Sequence, residues 1–140
     1  QDDALAAVLP GKVYFGSIDA AFNLEGLQAK GITHIINASG KAVDMYTGVQ
    51  YCNFALRDRE GADVLAVVAQ TNELIAAVLR AEGRVLVNCW AGRSRSAAIA
   101  VGFLMAKHGR SYDDAVEQLR AQRPAVKINI GFERQLRAFG

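Results

Sequence analysis

The sequence predicts an α/β fold: one domain on a central, mostly parallel mixed sheet of four to five strands, with helices flanking both faces. Two patterns carry this. Short β-branched runs alternate with helical stretches along the whole chain, and the stretch from Ala97 to Lys107 is almost uniformly apolar, as a central buried helix requires. The 140 residues, 51% hydrophobic and 21% charged with 2 Pro and 13 Gly, can bury one core. A second independent domain does not fit, so residues 1–140 read as a single domain.

Val13-Tyr14-Phe15 is a β-rich run closed by Gly16. Asn23 caps a helix that runs through Lys30 and stops at Gly31, where a left-handed residue is cheap. Ile32 to Asn37 is a buried strand, a polar loop covers Ser39 to Gly48, and Tyr51 to Leu56 forms the next strand. The charged segment Arg57 to Gly61 leads to a long helix, capped at Asp63, running to about Glu82 and ended by Gly83. Its apolar side carries Val64, Val67, Val68, Leu74, Ile75, Val78 and Leu79. Arg84 to Val87 is a short strand that feeds the loop Asn88 to Ser96 and then the apolar helix, closed by His108-Gly109. Ser111, with Asp114 three residues on, opens a further helix that Pro124 stops, and a last helix runs from about Gly131 to Phe139. There are no repeats, linkers or low-complexity tracts.

Sixteen basic residues face 14 acidic ones with no like-signed block, and a net charge of +2 is too weak for nucleic acid as the main partner. No apolar run approaches the ~20 residues that cross a bilayer. The start, Gln1-Asp2-Asp3, is acidic where a secretion signal needs positive charge, and the missing initiator Met suggests a chain cut from a longer product or carrying vector residues. Two cysteines, Cys52 and Cys89, make neither a disulfide framework nor a zinc site, so a reducing cytoplasmic or nuclear setting is expected.

In such a setting a lone Cys in a distinctive loop is a candidate nucleophile. Val85 to Ser96 takes a hydrophobic strand through a tight turn straight into a buried helix, a geometry that makes an anion site. Backbone N–H groups of Trp90, Ala91, Gly92, Arg93, Ser94 and Arg95 can curl around one point, the helix beginning near Ser96 adds its positive end, and Gly92 permits the sharp turn. Arg95 supplies a planar fork for two phosphate oxygens above Cys89. The same groups favour a thiolate, which attacks phosphorus and leaves a phosphocysteine for water to hydrolyse. A Cys-x5-Arg spacing recurs by chance; the preceding strand, the glycine, the serine after Arg95 and the small-residue helix behind it make it specific.

These residues resemble the active-site signature of the cysteine-based protein phosphatases, and specifically the dual-specificity phosphatases. Leu9 to Ser17 resembles that family's opening strand, Gly31 to Asn37 its next strand and Asn129 to Leu136 its closing helix, so the likeness covers nearly the whole chain. It implies Cys89 as nucleophile, Arg95 as phosphate-binding arginine, Ser96 as the hydroxyl assisting thiolate release, Asp58 as general acid on a mobile loop, and Asn129 as a brace for the phosphate loop. Asp63 is a rival to Asp58 by proximity, but its position fits a helix cap better. The compact chain implies a shallow cleft that admits phosphoserine and phosphothreonine as well as phosphotyrosine. One departure stands out: Asn88 occupies the place where the family has His. Its amide can donate toward the loop backbone but carries no charge, so it either fits a crowded strand end or tunes the nucleophile.

The expected protein is a metal-independent, cofactor-free monomer acting on phosphoproteins. Two alternatives remain: a phosphatase of a phosphoinositide, glycan phosphate or RNA 5′ phosphate, or a weakly active module that reads phosphate without turnover. Arg93, Arg57 and Arg59 form a basic rim or are solvated charge. Trp90 lines the cleft or packs. Cys52 is a redox partner of Cys89 or a buried small hydrophobe, and His34 and His108 read as structural.

Overall fold

The computed structural model describes residues 2–139, and among them it has five strands and six helices. In chain order these are β1 (Ala6–Leu9), β2 (Val13–Gly16), α1 (Ile18–Ala21), α2 (Leu24–Lys30), β3 (His34–Asn37), β4 (Gln50–Asn53), α3 (Val64–Arg80), β5 (Val85–Asn88), α4 (Arg95–His108), α5 (Tyr112–Gln122) and α6 (Ile130–Phe139). The sheet order is β1-β2-β5-β3-β4. Only β1 runs antiparallel to its neighbour; β2, β5, β3 and β4 pair in parallel.

Successive strand residues point to opposite faces, and both faces are covered. Val13, Phe15, Ile36, Val85 and Val87 face a large core shared with Val68, Ile99, Leu104, Leu119 and Phe132 of the four C-terminal helices. Tyr14, Ile35 and Leu86, one residue out of phase, face a smaller core with Ile18, Ala21 and Leu27 from α1 and α2. Because β5 is central, its C-terminal end opens between the two layers, where ligands of parallel sheets sit.

Sequence patterning gives the architecture and most elements, with differences that have physical reasons. It does not give β1, whose alanines carry little β preference; the strand forms by pairing with β2 across the Pro10-Gly11 turn, with Gly11 at φ 78. Nor does it give α1, a single turn on which Ser17 accepts a hydrogen bond from Asp19 N–H. The expected strand over Tyr51 to Leu56 shifts to Gln50–Asn53: Phe54 still donates to Asn37 O, after which the chain leaves the ladder. The strand over Ile32 to Asn37 shortens to His34–Asn37. Asp63 caps α3 as expected, its carboxylate accepting from Ala66 N–H at 3.0 Å. That helix ends at Arg80 rather than Glu82, and Glu82, not Gly83, takes the left-handed φ of 63. Gly83 is needed for proximity instead, since a Cβ there would lie 2.6 Å from Val78 Cγ1 and 2.7 Å from Thr33 Oγ1.

The α3–α4 contact shows the same economy. A Cβ on Gly102 would meet Val68 Cγ1 at 2.5 Å, and Val68 is fully buried with a stiff branched side chain. Ala gains up to about 1 kcal/mol of helix propensity over Gly, whereas overpacking a tight core costs about 1–3 kcal/mol. The clash prevails, so Gly102→Ala is expected to lower stability by about 1 kcal/mol or more in urea unfolding, against the propensity trend.

Candidate functional site

Cys89 directly follows β5, so the sheet fixes its backbone: its N–H donates to Gly16 O of β2, and the Asn88 carbonyl accepts from Ala38 N–H beyond β3. The thiol is only 2% exposed. It is nevertheless surrounded by polar groups. Gly92 N–H donates to Sγ at 3.2 Å, and Ser96 Oγ lies 3.2 Å from Sγ while also reaching Gly16 O at 3.4 Å.

The loop curls because Gly92 has φ 66 and rests on the adjacent strand end; a Cβ there would lie 2.6 Å from Gly16 C and 2.6 Å from Ser17 N. Ile18 N–H donates to Trp90 O and pins the other limb. Helix α4 starts at Arg95, one residue earlier than the sequence suggested, with Ser94 at the N-cap position. Ser94 does not cap it through its side chain; its hydroxyl accepts from Asn129 N–H at 3.1 Å instead. The first N–H groups of α4 are therefore left for an anion at the positive end of the helix.

Cys89 and Asp58 line one open cavity of about 540 Å³, together with Ala91, Arg93, Ser94, Arg95 and a wall of Lys127, Ile128, Asn129, Ile130 and Glu133. Asp58 enters it because Asn129 Nδ2 donates to its Oδ1 at 2.8 Å, while Asn129 Oδ1 accepts from Phe132 N–H and opens α6. Asn129 thus touches both the Asp58 loop and the Cys89 loop. Asp63 is occupied as a helix cap and does not line this cavity. Arg95 is half-buried between this cavity and a second one beside Lys41 and Arg57, with Nη1 donating to Leu56 O at 3.2 Å.

Several expectations are corrected. Asn88 does not donate toward the loop backbone. Its amide turns sideways to Asn37 Oδ1 at 3.0 Å, and Asn37 in turn donates to Asn53 Oδ1. These residues stand in register on three neighbouring strands, so the short amides meet without strain. Among the described residues, the buried Asn88 Oδ1 has no hydrogen-bond partner. Trp90 neither lines the cavity nor packs inside; it is 55% exposed. Cys52 lies on β4, two strands from β5, a lateral gap of about 10 Å. That exceeds the roughly 7 Å Cα limit for a disulfide, so Cys52 cannot bridge to Cys89 without moving the sheet. Arg57 and Arg59 are exposed and lie outside the Cys89 cavity, whereas Arg93 is on its rim. His34, the first residue of β3, contacts the Thr33 hydroxyl just before it, and the His108 ring packs against Phe103 at the end of α4.

Sequence reasoning passed over three contributors. Arg123 donates to Ala91 O and Gly92 O on the outer side of the loop, and pairs with Asp2, whose carboxyl its hydrogen bond holds below the usual range. Asn37 holds Asn88. Gly131 lets α6 approach the Asp58 loop, since a Cβ there would run into Glu60 O. Only the Arg-Pro pair at Arg123-Pro124 had a readable signal, because a residue before proline leaves the helix.

Residues 13–140 match the family described as "Dual specificity phosphatase, catalytic domain". The chain belongs to the dual-specificity phosphatase family. It is 31% identical to dual specificity protein phosphatase 1 of Arabidopsis thaliana over 97% of this chain and 69% of that protein. It is 33% identical to dual specificity protein phosphatase 2 of Mus musculus over 89% of this chain but only 39% of that one. Among solved structures, a mouse putative dual specificity phosphatase complexed with zinc tungstate superimposes with a TM-score of 0.92 at 32% identity, covering 99% of this chain and 87% of that one.

The Gly131 contact generates a prediction. Gly131→Ala must push the backbone at Glu60 away, which is expected to cost about 1–3 kcal/mol as an overpacked contact. Thermal unfolding checks the cost, and faster hydrogen exchange at Ala62 N–H, which donates to Arg59 O, checks that the Asp58 loop has loosened.

Proposed function

We propose that this domain hydrolyses phosphate monoesters on phosphotyrosine and on phosphoserine or phosphothreonine proteins, through a phosphocysteine intermediate. The observation that carries the reading is the meeting of Cys89, Arg95 and Asp58 on one cavity at the N-terminus of α4. The Cys89 thiolate attacks phosphorus, the S–P bond forms as the P–O bond to the leaving group breaks, and the Asp58 carboxyl gives its proton to the departing oxygen. Water then attacks the same phosphorus. Asp58, now a carboxylate, takes a proton from that water, the S–P bond breaks, and Ser96 Oγ stabilises the returning thiolate. Arg95 and the N–H groups of the loop hold the three equatorial oxygens, where charge is spread in the transition state.

The tungstate named with the similar mouse structure is a tetrahedral oxyanion, which supports an oxyanion cup in this fold. The cavity is open and walled on one side by Ile128 and Ile130, which suits both aryl and alkyl phosphates. Among the described residues no helix is long and apolar enough to cross a membrane, and Cys52 and Cys89 are both free. A monomer acting on phosphoproteins in the cytoplasm or nucleus is part of the same proposal. A non-protein substrate, such as a soluble phosphoinositide, draws support from Arg93 and Lys127 on the cavity rim.

Purified protein should turn over aryl phosphates and phosphopeptides, and Cys89→Ser should abolish both activities. Tight phosphopeptide binding without turnover would instead make the domain a phosphate reader, and exclusive activity on inositol lipids would change the substrate class. Asp58→Ala should slow substrates with poor leaving groups by about 10²–10⁴-fold while sparing good ones, because proton donation matters only where the leaving oxygen is basic. Equal losses across a leaving-group series would put the acid elsewhere.

A further inference from the structure

Arg123 ends α5 with an extended backbone at φ −143 and ψ 93, as a residue before Pro124 must. This sends its side chain off the helix axis and onto the outer side of the β5–α4 loop, where it is 8% exposed. Nε donates to Gly92 O at 2.8 Å and Nη2 to Ala91 O at 2.9 Å. The remaining edge of the guanidinium makes a two-pronged contact with Asp2, Nη1 to Oδ1 at 2.8 Å and Nη2 to Oδ2 at 2.7 Å. Asp2 is itself anchored, because its carbonyl accepts from Ser17 Oγ beside the Gly92 contact.

In a trans peptide the carbonyl and the N–H point in opposite directions. Drawing the Ala91 carbonyl outward to Arg123 turns the N–H of Gly92 inward, and that N–H is the one that reaches Cys89 Sγ. Drawing the Gly92 carbonyl outward turns the N–H of Arg93 inward in the same way. We propose that Arg123, braced by Asp2, is a positioning residue of the phosphate loop: it fixes the two peptide units whose N–H groups hold the sulfur and the oxyanion. It also places a buried cation behind a loop whose base carries a neutral Asn88. A lysine could not do the same work, since a point charge on a flexible stem does not span two carbonyls and a carboxylate in one plane.

The kinetic part of this inference rests on the function proposed above, but the binding part does not, so the test uses both. Wild type, Arg123→Met, Arg123→Lys and Asp2→Asn are compared by thermal unfolding, by orthovanadate titration and by kcat and KM on an aryl phosphate. Arg123→Met is expected to weaken vanadate binding about tenfold or more and to lower kcat about 10–100-fold with a smaller change in KM, a fraction of the loss seen when an oxyanion donor is removed outright. Arg123→Lys should recover part of the loss, and Asp2→Asn should give a smaller loss in the same sense. A lowered Tm with vanadate affinity and kcat unchanged would overturn the proposal, leaving Arg123 a tie for α5. If Arg123→Met does not fold, unchanged vanadate affinity in both Arg123→Lys and Asp2→Asn overturns it equally. Wild type that binds vanadate without turning over phosphate would remove the proposed function and leave this inference standing, whereas wild type blind to vanadate would remove both.

Discussion

The contact between Gly92 and the backbone of Gly16 and Ser17 governs the rest of the site. Two main chains pass so close that no side chain fits between them, and this closeness is what curls the β5–α4 loop around Cys89. It requires β2 and β5 to be neighbours in parallel, so that the Gly16 carbonyl, Gly92 and Ser96 all converge on one point. The sheet order is therefore part of the site. A chain with the same loop on another topology would have the residues without the cup.

From that contact the remaining parts follow by attachment. Ser94, released from capping its own helix, takes the Asn129 N–H and brings α6 to the loop, and the Asn129 side chain brings in Asp58. Gly131 permits the close passage of the Asp58 loop over α6. One asparagine thus couples the two loops that supply the candidate nucleophile and the candidate acid, while Arg123 holds the nucleophile's loop from outside. Burial of Cys89 and polarity around it are compatible because the groups that reach the sulfur are the Gly92 N–H and the Ser96 hydroxyl, the latter itself tied to Gly16 O at the end of β2.

Periodicity and punctuation made the architecture legible. The strand-loop-helix grammar around Cys89, the caps at Asn23, Asp63 and Ser111 and the apolar α4 could be read from residue types alone, because local rules decide them. What escaped was decided by long-range contact. β1 exists because β2 pairs with it, Gly131 because of Glu60, and the turn of Asn88 away from the loop because Asn37 and Asn53 stand in register beside it. Arg123 sits 34 positions after Cys89, and nothing in its immediate neighbourhood announces the loop it touches. The departure at Asn88 was visible; its outcome was not, because an amide can turn either way until its neighbours are known.

Trp90 gives the fold an optical property of its own. It is the sole tryptophan of the chain, it stands largely in solvent, and its backbone carbonyl is tied to Ile18 while its other neighbour is the buried sulfur. Indole emission responds to local polarity and motion, and no second chromophore of its kind dilutes the signal. Light emitted by this one side chain thus reports on the loop beside it, without any label.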